Sequence, residues 1–180
     1  MINSKAISAL VIAISTTAPA PAYGAQLEFD CDVPADHFSS VSQGIANGGS
    51  VSGTIRVDEM RKGSNLPVAG AGIFGPDNKY AAGFQIVASG THSRILDIMF
   101  NVANDGDIKK EKVGEVDASS SIAFSISLSA VGTAVLTVNG RQFQADASAI
   151  SAGRAMAFCS TAQFKFTNLT FSANSDRSGG

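Results

Sequence analysis

The chain has 180 residues, with 13 basic and 15 acidic side chains and a formal net charge of −2. That near-balance, with no basic cluster anywhere, excludes a tracker of phosphate backbones, so nucleic acid is not an expected partner. The length suits one domain large enough to bury a core, and the 44% apolar content is that of a globular chain.

In chain order, residues 1–5 carry one cation, Lys5, and lead into an apolar run from Ala6 to Ile14. That run is well short of the roughly 20 residues that cross a bilayer. Small residues follow from Ser15 to Ala22. Charge, short apolar run and small residues together predict an export leader at residues 1–22, cut after Ala22 or Gly24. A secreted or periplasmic protein is therefore expected. No later segment is apolar for long enough to span a membrane, and the triplet before Cys31, Glu28-Phe29-Asp30, is no lipoprotein signal.

From residue 25 on, alternation with a period of two dominates, which is the mark of half-buried strands. Leu27, Phe29, Cys31 and Val33 share one face of the first strand, with Glu28, Asp30 and Asp32 on the other. Val51, Gly53, Ile55 and Val57 alternate with Ser52, Thr54, Arg56 and Asp58 in a second. Further strands are expected at 69–74, 82–88, 94–102, 112–117 and 122–128. The pair 134–138 and 141–144 flanks Asn139-Gly140, a dipeptide suited to a type I′ hairpin because both turn residues tolerate positive φ. In the closing strand, 163–171, the apolar parity slips between Phe166 and Leu169, which predicts a bulge near Thr167 and Asn168. Helix is expected to be scarce, with at most a turn or two in Pro34–Gln43 and in Ala145–Arg154. The polar tail at 173–180 is expected to be disordered.

Strands with one polar face each can hide their apolar faces only against one another. The expected fold is therefore all-β, a single two-sheet antiparallel sandwich at residues 25–172. Cys31 and Cys159 are the two cysteines, and an exported pair normally bridges, so a disulfide is expected. A bond from the first strand to the segment just before the last implies that the chain's ends meet, as in a jelly roll with adjacent terminal strands.

The stretch Ser121–Phe171 resembles the concanavalin A-like lectin and glucanase superfamily, which includes laminin G-like domains. The similarity is carried by the strand Ile122–Ser127, the hairpin Leu136–Arg141 and the closing strand Phe164–Phe171, and more weakly by Gly83–Ile86 and Ile95–Ile98 within Ala81–Val102. The resemblance implies a curved sheet whose concave face binds or cleaves glycans. The chain departs from sugar-binding members in having no tryptophan, and Tyr80 is its one assured tyrosine after leader removal.

Glu115-Val116-Asp117-Ala118-Ser119 resembles the start of the Glu-x-Asp-x-Glu strand of the superfamily's glucanases. Retaining hydrolysis needs two opposed carboxyls, and Ser119 stands where the second glutamate belongs, so no enzyme is expected. Asn101–Ile108 is rich in oxygen ligands, but Ala103 and Lys112 break the twelve-residue calcium-loop template. A simpler calcium site on Asp105 and Asp107 stays open beside the reading as a polar turn; no other cofactor or metal is expected. Asp36, His37, Ser39 and Ser40 supply triad residue types without a nucleophile elbow. His37 and His92 alone define no metal site. Asn168-Leu169-Thr170 is a glycosylation sequon lying inside a predicted strand.

The expected function is an exported, non-catalytic binding module for glycans, using Gln85, Asp97 and Asn101 on the outer face of one curved sheet. The alternative is a structural or adhesive surface component that binds protein through a sheet edge. A degenerate glycoside hydrolase is a weaker third. The sequence leaves the oligomeric state open.

Overall fold

The computed structural model describes residues 26–174 except 78 and 91, with no description of the Tyr80 side chain. The expected leader at 1–22 lies outside the described residues. Twelve strands form within them: β1 (Leu27–Asp32), β2 (Phe38–Ala46), β3 (Gly49–Met60), β4 (Val68–Phe74), β5 (Tyr80–Ala88), β6 (Ile95–Asn104), β7 (Asp107–Asp117), β8 (Ile122–Leu128), β9 (Thr133–Val138), β10 (Arg141–Asp146), β11 (Ala152–Ser160) and β12 (Ala162–Ala173). They build two antiparallel sheets of six, ordered β1-β12-β3-β8-β9-β10 and β2-β11-β4-β5-β6-β7. The all-β sandwich is therefore present, with the terminal strands β1 and β12 paired.

The alternating side chains meet where the pattern requires. Ile122, Phe124, Ile126 and Leu128 of β8 are buried on the inward face, with Ala123, Ser125 and Ser127 on the other. The rings of Phe84 on β5 and Phe124 on β8 pack across the two sheets with centroids 5.0 Å apart, and Phe166 of β12 meets Phe124 edge-on at 6.4 Å. Each such ring contributes about 1.5–3 kcal/mol by leaving water.

Turn chemistry follows the side chains too. Asn139 (φ 46°) and Gly140 (φ 79°) form the two-residue turn between β9 and β10. The register of β12 shifts between Thr167 and Thr170, where Asn168 takes φ 52°, so the parity slip is a bulge.

Cys31 of β1 and Cys159 of β11 are bonded, with Cα atoms 6.1 Å apart. Because β1 belongs to the first sheet and β11 to the second, the bond clasps the two layers together through the core.

Two stretches differ from expectation. Neither Pro34–Gln43 nor Ala145–Arg154 holds helix: the first runs into β2, and the second contains the end of β10 and the start of β11. β2 is an edge strand with one exposed face, its inner face carrying half-buried Ser39 and Val41 and buried Ile45, and β11 is buried on both faces from Ala155 to Cys159. The burial of β11 leaves no alternation to read, and in β2 an outward Phe38 and inward Ser39 and Gln43 blur it. Of the expected tail at 173–180, Ala173 and Asn174 are described. β12 runs to Ala173, and the Asn174 side chain donates to the carbonyls of Asn47 (2.6 Å) and Leu128 (3.0 Å); residues 175–180 lie outside the described ones.

Candidate functional site

On the second sheet, Ala155, Ala157 and Cys159 of β11 point into the shared core, which turns Arg154, Met156 and Phe158 outward. The same parity turns Gly70, Gly72 and Phe74 of β4, Gly83 and Gln85 of β5, and Asp97, Met99 and Asn101 of β6 outward. Cross-strand register then sets the rows of this outer face. One row reads Ser42, Met156, Gly72, Gly83, Asn101 and Lys110 from edge to edge. The next reads Ser40, Phe158, Gly70, Gln85, Met99 and Lys112. Glycines thus floor the middle of the face, flanked by apolar side chains towards β11 and by polar ones towards β6.

The apolar flank is a cluster separate from the core, made of Phe74, Met156 and Phe158. Phe158 meets Phe74 edge-on at 6.5 Å and stacks on Phe38 at 5.7 Å. Gly70 makes room for it, since a Cβ there would stand 3.1 Å from the Phe158 ring and 2.2 Å from the Phe84 carbonyl oxygen. The Arg154 guanidinium lies 5.9 Å over the Phe74 ring, a cation–π contact. Its Nε is buried and has no hydrogen-bond partner among the described residues.

On the polar flank, Gln85, Asp97 and Asn101 share one face of the neighbouring strands β5 and β6. Their states differ. Asp97 accepts from Lys112 Nζ at 2.8 Å, and the same Nζ contacts Glu115 at 2.7 Å. Those two carboxylates, Asp97 first, raise the Lys112 pKa by favouring its charged form. Gln85 is half-buried. Asn101 is fully buried, and neither its Oδ1 nor its Nδ2 finds a partner among the described residues. An amide left in that condition costs about 1–3 kcal/mol, so the fold carries an unfavourable group on its outer face.

The other candidates are placed as follows. Glu115 is engaged by Lys112 on the edge strand β7. Asp117 accepts from both the hydroxyl (2.6 Å) and the N–H (2.8 Å) of Ser119, which lowers its pKa. Ser119 therefore closes a local turn around Asp117. Asp105 (φ 50°) and Gly106 (φ 90°) form the two-residue turn between β6 and β7, with Asp107 opening β7 and the Asp105 N–H donating to the Ser148 hydroxyl. Among the described residues no three His, Cys, Asp or Glu side chains gather as metal ligands.

Asp36 ties a loop. Its carboxylate accepts from the N–H groups of Ser64 (3.0 Å) and Asn65 (2.6 Å), the bonds that lower its pKa. His37 Nδ1 donates to the Ala35 carbonyl, and Ser39 and Ser40 lie in β2.

Sequence reasoning missed the apolar flank, Arg154 and the glycine floor. The signal was present in Gly70-Ala71-Gly72, whose missing side chains announce something large close by.

No protein-family model matches the chain, and no curated protein does. Among solved structures the chain is similar to an alginate lyase from Alteromonas sp. 272, with a TM-score of 0.55 and 12% identity over 75% of this chain and 77% of that one. It is also similar to a Bacillus licheniformis β-glucanase, with a TM-score of 0.50 and 12% identity over 86% and 95%. A third is the CBM2 module of the Lactobacillus casei BL23 phage J-1 evolved Dit, at 0.54 and 9% over 74% and 68%. The likeness is to jelly-roll proteins. At these identities the likeness is one of fold, and this fold hosts lyases and hydrolases beside binding modules. Activity has to be argued from the site itself.

Proposed function

We propose that the protein is a non-catalytic module that binds a glycan on the outer face of its second sheet. The observation that carries this reading is Asn101, a fully buried amide with both polar atoms unpartnered, placed beside a glycine floor. A sugar that displaces the side chains covering this amide offers it paired donor and acceptor hydroxyls, and it offers an apolar C–H face to rings such as Phe74 and Phe158. Arg154 Nε adds a second donor in want of an acceptor. Solved structures of the same fold include a lyase, a glucanase and a CBM2 module, which supports a glycan over other small ligands.

The non-catalytic part rests on the carboxylates. Asp97 and Glu115 both pair with Lys112 and Asp117 accepts from Ser119, so these three offer no opposed pair of unengaged carboxyls of the kind hydrolysis uses. The disulfide fits an exported protein in an oxidising compartment.

Affinity electrophoresis and a glycan array test the reading, run with and without calcium. The native protein is expected to be retarded by at least one polysaccharide without shortening it, and Asn101→Leu is expected to lose that retardation while staying folded. Equal migration in every polysaccharide, or retention of binding by Asn101→Leu, defeats the assignment. Release of sugar ends from the bound polymer would defeat the non-catalytic part alone.

A further inference from the structure

Asn101 has a neighbouring hollow at its end of the outer face. Alternation along β6 turns Val102 into the core and brings Ala103 to the same outward side as Asn101, about 7 Å further along the strand. Across the register Ile108 of β7 faces Ala103, as Lys110 faces Asn101. Ala103 and Ile108 belong to the wall of a cavity of about 290 Å³, with Pro76, Ala81, Ser148 and Ile150. It lies at the end of the second sheet, between the β4–β5 loop, the β6–β7 turn and the loop joining β10 to β11.

Backbone bonds fix these walls. The Ser148 N–H donates to the Ala103 carbonyl and the Asp105 N–H donates to Ser148 Oγ at 3.1 Å, so the β10–β11 loop is fastened to the β6–β7 hairpin at two points. On the opposite side the Gly75 N–H donates to the Lys79 carbonyl at 3.1 Å and closes the β4–β5 loop. Small side chains at Ala81 and Ala103 leave the space, and most of its wall is apolar. Ser148 is the exception. Its oxygen accepts from Asp105, while its own proton meets no acceptor among the described residues.

An apolar hollow with one free hydroxyl donor suits a short acyl group, whose methyl leaves water and whose carbonyl oxygen accepts. At about 290 Å³ the space stands at the bottom of the range for small-molecule sites, so it holds a substituent rather than a length of polymer. We propose that this cavity is an acyl subsite, in which a sugar seated over Asn101 places an O-acetyl or N-acetyl substituent between Ala103, Ile108 and Ser148. The seat over Asn101 rests on the glycan reading, whereas the chemistry of the cavity stands without it.

Amide-resolved NMR of the protein with methyl acetate and, separately, with N-methylacetamide tests the cavity without any sugar. Saturable shifts are expected at Ala81, Ala103, Ser148 and Ile150, and the tighter of the two probes names the linkage as ester or amide. Ala103→Leu fills the space and is expected to abolish the shifts. Ser148→Ala, at a half-buried loop position, should weaken probe binding about fivefold, the worth of one neutral hydrogen bond. In gels, the native protein is expected to favour an acetylated polysaccharide over the same polymer stripped of its acetyl groups by about tenfold, and Ala103→Leu to bind the two alike. No saturable shifts, shifts with xenon but with neither carbonyl probe, or shifts that both folded variants leave unchanged overturn the subsite; so does equal retention of the acetylated and stripped polymers. The two readings fail separately. Asn101→Leu should lose polymer retention and keep the probe shifts, and probe shifts without retention of any polymer would remove the glycan reading and leave the acyl pocket standing.

Discussion

The two outer faces of this sandwich come from the same alternation and look nothing alike. On the first sheet a row reads Thr170, Ser52, Ser125, Thr137 and Gln142, and its neighbour reads Ser172, Ser50, Ser127, Val135 and Gln144. Short, mostly polar side chains stand there in even height over a core that is closed beneath them. On the second sheet the corresponding rows mix glycines, phenylalanines, a methionine, a fully buried asparagine and an arginine. An outward position that needs only to be wet accepts serine. One that excludes water from Asn101 and lays Phe158 over Gly70 meets a demand the core does not make, and that difference is why the proposed binding face is the second.

The largest expected effect tests whether the faces are independent of the clasp between their sheets. Replacing Cys31 and Cys159 by alanine opens a link across 128 positions of sequence and should cost about 5 kcal/mol on the chain-entropy account. Chemical denaturation would show the loss. If the comparison is sound, the double variant held well below its unfolding transition should still bind glycan at native strength. Parallel loss of binding would mean that β11, which carries both Cys159 and the outward Arg154, Met156 and Phe158, owes its position to the bond.

A matched pair of substitutions sharpens the contrast directly. Phe158→Ala removes a side chain 3% exposed from the outer cluster and should destabilise by about 3 kcal/mol. Ser125→Ala, outward on the first sheet, should change stability by no more than about 0.5 kcal/mol. Urea midpoints for the two variants decide it. Comparable small effects would reduce the second face to ordinary surface.

How much of this was legible beforehand depended on whether a strand has one wet side. β3, β8 and the β9–β10 hairpin do, and Val51 to Val57, Ile122 to Leu128 and Asn139-Gly140 gave them away. β11 has two dry sides, because Met156 and Phe158 face outward as apolar groups. β2 has a wet outer side that begins with Phe38 and an inner side that mixes Ser39 and Gln43 with Val41 and Ile45. Their period vanished, and with it the strand that carries half of the candidate face. Gln85, Asp97 and Asn101 were placed together by parity alone, since Phe84, Ile86, Leu96, Ile98 and Phe100 mark the inward side despite apolar Val87, Ile95 and Met99 on the other. Which residues lie across from them is a matter of register, and register between β11, β4 and β5 is written in packing rather than in local pattern.

Asn101→Leu carries the comparison further by predicting opposite signs for stability and function. Replacing an unpartnered buried amide by a side chain of similar size should stabilise the fold by about 1–2 kcal/mol, while ligand binding is lost. Outward substitutions on the first sheet, such as Thr137→Val, should show no such trade. Thermal unfolding of Asn101→Leu below the native transition would mean that the amide is satisfied and that the face was not left waiting for a ligand.

The smallest effect concerns charge. On the first sheet's outer face Arg56 Nε donates to Asp58 at 2.7 Å, and that bond, more than the Coulomb attraction beside it, lowers the Asp58 pKa from its ordinary 3.8. A depressed carboxyl stabilises the fold above its ordinary value, and the contribution disappears as pH falls through the folded-state pKa, where both states are protonated. Wild type and Asp58→Asn should therefore differ slightly in Tm at neutral pH and converge as the pH falls below the lowered folded-state pKa, with no change in glycan binding at any pH where the protein is folded. The pair is surface-exposed, so salt should shrink the gap as well. A pH-dependent loss of binding that tracks Asp58 would place ligand contacts on the first sheet and reverse the assignment of the two faces.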